Sequence, residues 1–222
     1  MNYAIILAGG KGLRTGTKTP KQFLNIEKNT PMIVKTIKAF NSTKEVDAIC
    51  VVCLDKYISK VNSFVEKFKL KKVQLVVKGG STRQQSVFAG LNALKEAGAK
   101  ENDIVLIHDC ARPFVSKRII LDNIKQCEKY NAVITAIQST DSVFISTDNH
   151  KVGKYLERKE LYNCQTPQTF KFRLIYLAHQ TAKSNGIKDA TDDAMLVMRI
   201  GGIVRIVEGE ASNKKVTFKE DF

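Results

Sequence analysis

The chain has 222 residues, 43% of them hydrophobic, and a formal net charge of +14. That length suits one α/β domain with a real core, and no apolar run reaches the roughly 18 residues that a membrane span needs. The opening "MNYAIILAGG" lacks the basic n-region and the length of a signal peptide, so a membrane partner is not expected.

The positive charge points to a polyanionic ligand, or to lysines spread over a solvated surface. No lysine/arginine run is interleaved with aromatics, and tryptophan is absent, so nucleic acid is not the expected partner. The five cysteines, Cys50, Cys53, Cys110, Cys127 and Cys164, form an odd set without a signal peptide. This predicts a reducing compartment, the cytoplasm. Cys50 and Cys53 imitate a metal pair, but they lie in the strand-like run "AICVVCL", where residues three apart face opposite sides. They read as buried thiols. None of the three histidines is spaced for zinc.

In chain order, Asn2 to Leu7 reads as a buried strand running into glycines. Pro31 to Asn41 reads as a helix with Thr30 as its N-cap and Pro31 in its first position. "AICVVCL" is the second strand. Asp55 is then expected to cap a helix whose Tyr57, Val61, Phe64, Val65 and Phe68 recur at helical spacing. "VQLVV" is a strand, and "GGSTRQQSVFAGLNALKEAG" a turn and a helix closed by Gly98. "DIVLIHD" is a strand, Ser116 caps a helix through Tyr130, and "AVITAI" is a strand. The segment "STDSVFISTDNHKVGKYLERKELYNCQTPQTF" then breaks the rhythm and reads as a β-arm leaving the sheet, with residues 138–160 as the arm proper. A helix from about Phe172 to Ser184 follows. Thr191 is expected to cap "DDAMLVMRI", which Gly201-Gly202 ends, and "IVRIVEG" and "KKVTF" are expected as late strands.

Continuously apolar strands alternating with helices predict a mostly parallel sheet covered on both faces, in a single domain over residues 1–222. In such sheets ligands bind beyond the carboxyl ends of the strands. The glycine stretch, "GGSTRQQS" and "HDCARPF" each follow such an end and are expected to converge.

Gly10-Lys11-Gly12-Leu13-Arg14-Thr15 fails the last glycine of a dinucleotide fingerprint, and Gly16-Thr17-Lys18-Thr19 is only a near miss to a P-loop. What remains is a strand, a turn with Gly9, Gly10 and Gly12, then Arg14 and Lys21. Backbone N–H groups of such a turn can cradle phosphate oxygens, with the two cations adding charge-assisted bonds. The bland alternative is a solvated basic loop. Asp109, at the end of a buried strand, can hold a divalent cation against phosphates. Arg112 follows on a turn made rigid by Pro113. The alternative there is a structural Asp–Arg ion pair.

The ordered set "LAGGKGLR…PKQF", "GGSTRQQSV", "IHDCARPF", "CQTPQTF", "TDDA" and "VEGEASNKKVT" closely resembles the 2-C-methyl-D-erythritol 4-phosphate cytidylyltransferase family over nearly the whole chain. The resemblance implies a Rossmann-like nucleotidyltransferase fold and a homodimer joined through β-arms. It also implies Mg2+-dependent transfer of CMP from CTP to a polyol phosphate. By resemblance, Arg14 and Lys21 act on the triphosphate, and Ala8, Gly80 and Ser86 surround the cytosine. Asp109 stands near the metal. Thr166, Thr191 and Lys215 surround the acceptor phosphate, together with Arg158 from the other subunit. Arg112 helps to hold the acceptor across the dimer. Because the acceptor phosphate is already anionic, the reaction needs positioning and fixed cations rather than a strong base.

The chain departs from the family pattern at Gly9 and Thr15, at Asp141-Ser142 near the polyol, at Ser81, and in stopping at Phe222. The double glycine also resembles ribitol 5-phosphate cytidylyltransferases, which make precursors of surface polymers. Methylerythritol phosphate is the expected acceptor, with Ser142 beside it, and ribitol phosphate or another polyol phosphate is the alternative. A catalytically idle nucleotide-binding dimer is the alternative from another class. Gathering Arg14, Lys21, Asp109 and Lys215 at one sheet edge argues against it.

Overall fold

Strand β1 (Asn2–Ala8) lies near the middle of the molecule, parallel to β4 (Ala48–Cys53) on one side and to β6 (Ile104–Asp109) on the other. The computed structural model describes residues 1–10, 19–188, 190–218 and 221. The main sheet has seven strands in the order β11-β7-β10-β6-β1-β4-β5. The remaining members are β5 (Val73–Lys78), β7 (Ala132–Gln138), β10 (Tyr162–Lys171) and β11 (Arg205–Glu208). Every pairing is parallel except those of β10, which runs antiparallel to both β6 and β7.

Helices cover both faces, which is why every residue of β4 is buried. One face packs against α1 (Met32–Asn41), α2 (Ile58–Lys67) and α4 (Lys117–Tyr130), with Ile37, Phe40, Val61 and Ile119 in its core. The other packs against α3 (Arg83–Glu96), α5 (Phe172–Ser184) and α6 (Asp193–Arg199), with Val87, Leu91, Ile175 and Leu196. Cys53 belongs to the first core and Cys50 to the second, as strand alternation requires. All five cysteines are unpaired, and only Cys164 is exposed.

The helix ends correct several expectations. Thr30 lies in β3 (Thr30–Pro31), paired with β2 (Asn25–Glu27), and α1 starts after Pro31 with no side-chain cap. Asp55 opens a 3-10 turn over Asp55–Tyr57, and α2 also lacks a side-chain cap. The α6 cap is Asp192 rather than Thr191, its carboxylate accepting the Met195 N–H at 2.8 Å. Ser116 does cap α4, accepting from Ile119 N at 3.2 Å.

The largest correction is β10. Residues expected to leave the sheet instead form a central strand. It is buried on both sides, and its buried residues are mostly polar: Gln165, Thr166, Gln168 and Thr169 are all buried. Such a strand survives because its polar atoms are paired. Thr169 donates to Asn123 at 3.0 Å, Asn123 to Thr135 at 2.8 Å, and Thr135 to the Pro167 carbonyl at 2.7 Å. The Gln168 side-chain oxygen accepts the N–H groups of Asp193 and Ala194, tying α6 to the sheet. Between β7 and β10, the short strands β8 (Phe144–Ile145) and β9 (Lys154–Tyr155) form a separate antiparallel ribbon. Residues 214–218 form no strand. They are bonded through Val216 N to the Ala111 carbonyl, just past the carboxyl end of β6.

Candidate active site

The registers Leu7↔Asp109, Ala8↔Cys53 and Cys53↔Lys78 bring four strand ends to one edge of the sheet. A cleft of about 670 Å³ opens there. Of the residues expected at the site, Ala8, Gly9, Gly10, Lys21, Gly80, Ser86, Asp109 and Lys215 line it. Gly12 and Arg14 lie outside the described residues. Arg112 and Thr166 stand behind the cleft, bonded to residues on its wall. Ser142, Arg158 and Thr191 are exposed and do not line it.

On one side, the 3-10 turn Lys21–Phe23 supports the glycine stretch. The buried Gln22 donates to the carbonyls of Ala8 at 2.9 Å and Gly10 at 3.0 Å. This grip of "PKQF" on the glycines was not foreseen, although the spacing of the two motifs allows it. Across the slot, the α3 cap Thr82 accepts from Gln85 N, and Ser86 lies 2.9 Å from the Thr82 carbonyl. Gly80 must lack a side chain, since a Cβ there would come within 2.3 Å of Gln85 Cβ.

Asp109 is the electrostatic centre. Its carboxylate is 2.7 Å from Lys215 Nζ and 3.4 Å from Arg83 Nε. Burial alone would raise its pKa, but Arg83 and Lys215 outweigh burial and hold it well below the usual carboxylate range. Arg83 in turn pairs with the buried Asp193 at 2.8 Å, and Asp193 also takes a bond from His179 at 3.0 Å. Burial likewise opposes ionisation of Asp193, and Arg83 and His179 overcome it, lowering its pKa. Arg83 and Asp193 are the main residues that sequence reasoning missed, although both lie within "GGSTRQQSV" and "TDDA". Their partnership spans 110 positions and leaves no local spacing to read.

The Asp109–Arg112 ion pair is not formed. The Arg112 side chain donates to the carbonyls of Asn213 at 2.8 Å and Cys164 at 3.0 Å. Asn213 is buried and donates to Gln165 and to the Thr166 carbonyl, anchoring the segment that carries Lys215. Lys21 donates to the Val216 carbonyl at 2.7 Å. His108, fully buried behind Asp109, has its pKa held down to about 4 by burial.

The family described as IspD, 2-C-methyl-D-erythritol 4-phosphate cytidylyltransferase, matches residues 2–222. The chain belongs to this family. It is 40% identical to the 2-C-methyl-D-erythritol 4-phosphate cytidylyltransferase of Clostridium acetobutylicum, over 100% of this chain and 94% of the relative. It is 37% identical to the ribitol-5-phosphate cytidylyltransferase of Streptococcus agalactiae serotype III, over 100% of this chain and 92% of the relative. Among solved structures, 4-diphosphocytidyl-2C-methyl-D-erythritol synthase from Anaerococcus prevotii superposes with a TM-score of 0.84 at 32% identity. That match covers 99% of this chain and 92% of the other. The expected nucleotidyltransferase fold and enzyme class are therefore borne out. No helix among the described residues is long and apolar enough to cross a membrane.

Proposed function

We propose that this enzyme transfers CMP from CTP to 2-C-methyl-D-erythritol 4-phosphate and releases pyrophosphate, serving isoprenoid precursor synthesis. The observation that carries this reading is the Asp109 carboxylate at the cleft wall, set between Lys215 and Arg83, with Lys21 lining the same cleft. An oxygen of the acceptor phosphate attacks the α-phosphorus in line, and the bond to the β-phosphate oxygen breaks. Both reactants are anions, so the protein's contribution is to hold fixed cations where charge accumulates. Lys21 suits the triphosphate side, together with Arg14, and Lys215 suits the acceptor side. The narrow wall of Ala8, Gly80 and Ser86 suits a pyrimidine.

Mg2+ fits this arrangement. The ion is commonly held by one or two carboxylates and by phosphate oxygens, and Asp109 is the carboxylate among the described residues of the cleft. Asp109 would hold it, and the ion would neutralise charge on the triphosphate.

The working form in this reading is a homodimer in the cytoplasm. Support for the dimer comes from the β8–β9 ribbon, which exposes Val143, Phe144, Ile145, Val152 and Tyr155. A two-fold partner would cover that surface. Arg158, exposed beside the ribbon and bonded only weakly to the Thr140 carbonyl at 3.4 Å, would then complete the partner's acceptor site. In each acceptor site the arginine so donated would meet Thr166, Thr191 and Lys215, with Arg112 and Ser142 beside the polyol. The cytoplasm suits five unpaired cysteines.

A second reading, ribitol 5-phosphate as acceptor, is favoured by whole-length identity to a ribitol-5-phosphate cytidylyltransferase and by Gly9. Turnover of labelled CTP with each polyol phosphate decides between them. A higher kcat/KM for methylerythritol phosphate supports the first reading, and a higher value for ribitol phosphate replaces it. Turnover only with another polyol phosphate replaces both, and no turnover with any of them leaves the idle nucleotide-binding dimer.

A further inference from the structure

Gln84 stands in the first turn of α3 and is only 6% exposed. Its Oε1 accepts the backbone N–H of Ala190 at 3.1 Å, and its Nε2 donates to the carbonyl of Ile187 at 2.8 Å. A backbone N–H can only donate and a carbonyl can only accept, so the amide has one possible orientation. Both partners lie between α5 and α6, 103 and 106 positions further along the chain. The preceding residue, Arg83, reaches the same region: its Nη1 lies 2.8 Å from Asp193, whose backbone N–H donates to Gln168 Oε1 at 2.9 Å. Thr191 and Asp192 are the two residues between these fixed points. The same turn of α3 serves the cleft. Thr82, Arg83 and Ser86 line it, and Arg83 also pairs with Asp109. One helical turn therefore carries a wall of the cleft on one side and the segment 190–193 on the other.

We propose that Gln84 is a positioning residue for the acceptor: it fixes the segment that carries Thr191 at a set distance from the nucleotide side of the cleft. This rests on the reading above that puts Thr191 at the acceptor. Arg83 and Gln168 hold the downstream end of the segment, and Gln84 supplies the upstream end. An apolar side chain of the same length would fill the space but leave the buried Ala190 N–H without its partner. The amide thus does for this segment what a neighbouring strand does inside the sheet, offering one donor and one acceptor to its backbone.

Gln84→Met keeps the length of the side chain and removes both bonds. With CTP, Mg2+ and the preferred polyol phosphate, it should lower kcat/KM for the polyol phosphate about 10-fold, the scale of a lost buried hydrogen bond with its partner stranded. KM for CTP should stay within about twofold. A general loss of stability would impair both substrates alike, so equal losses for CTP and polyol phosphate, or no loss at all, overturn the proposal. Gln84→Ala, a good helix former, takes the place of the methionine variant if that one does not fold, with the same outcomes. Amide hydrogen exchange in the substrate-free enzyme reads the tether itself. In Gln84→Met the Ala190 amide should exchange at least about 10-fold faster, while the amides of the buried strand residues Ile5 and Val51 keep their rates. An unchanged Ala190 rate, or equal acceleration of all three, overturns the proposal. If the unsubstituted enzyme turns over no polyol phosphate, the functional reading falls, and the exchange rates alone uphold or overturn the tether.

Discussion

Lys21 donates from Nζ to the carbonyl of Val216 at 2.7 Å, and Val216 directly follows Lys215, whose Nζ lies 2.7 Å from Asp109. The lysine expected on the triphosphate and the lysine expected on the acceptor are therefore tied through adjacent backbone positions. Lys21→Ala and Lys215→Ala should each cost about 3 kcal/mol in kcat/KM, as for one preorganised donor. Because each substitution loosens the other's support, the double variant should lose at least about 1 kcal/mol less than the sum. Strict additivity in a double-mutant cycle would separate the two lysines.

Arg83 and Lys215 both pair with Asp109 but differ in burial, and stability should report the difference. Arg83→Ala leaves the buried Asp193 carboxylate with His179 but without its guanidinium, and should destabilise the fold by about 3 kcal/mol. The Lys215 side chain is 42% exposed, and its removal should cost no more than about 1 kcal/mol. Urea unfolding monitored by circular dichroism gives both values. Equal losses would contradict this ranking.

The buried His108 sets a pH dependence. Its pKa falls from 6.5 to about 4 on folding. Above pH 6.5 neither state holds the proton. As the pH drops below that value, the unfolded chain takes up a proton that the folded chain refuses until about 4. The contribution of this ring is therefore complete above the unfolded pKa and is lost toward acid, by about 3 kcal/mol in all. Unfolding free energies measured in chelator across this range should show a flatter profile for His108→Gln. An unchanged slope would mean that the ring titrates normally.

Completion of the site in trans has its own signature. Arg158→Ala and Lys215→Ala homodimers should each be impaired, while mixed dimers regain one intact site. Subunit exchange verified by native mass spectrometry, without recovered turnover, would place Arg158 outside the partner's site.

The parallel strands and the helices between them were legible because they are apolar in unbroken runs, as in β4 and β6. Asp109, Lys21 and Lys215 were legible from their motifs and family resemblance. The central strand β10 was not. It buries Gln165, Thr166, Gln168 and Thr169, whose partners Asn213, His108, Asp193 and Asn123 are scattered along the chain. Hydropathy reads such a strand as surface. "KKVTF" misled in the opposite sense: Val216 is buried, yet it lies on a strap rather than in a ladder. On the ribbon, Val143, Ile145 and Val152 are exposed together with the Phe144–Tyr155 ring pair, whose centroids lie 5.8 Å apart.

The central place of β10 bears on how the molecule is made. During synthesis, β1, β4, β5 and β6 can assemble as a parallel half-sheet, with helices already on its faces. The open flank of β6 must then wait for residues 168–171, which arrive about 60 positions later. Until then the nascent chain presents an unpaired strand edge, the kind of surface that invites aggregation or chaperone capture. Lys215 is synthesised later still, so the sheet can be paired before this cation reaches Asp109. Slow translation just after β6 would prolong the vulnerable interval without altering a single native contact.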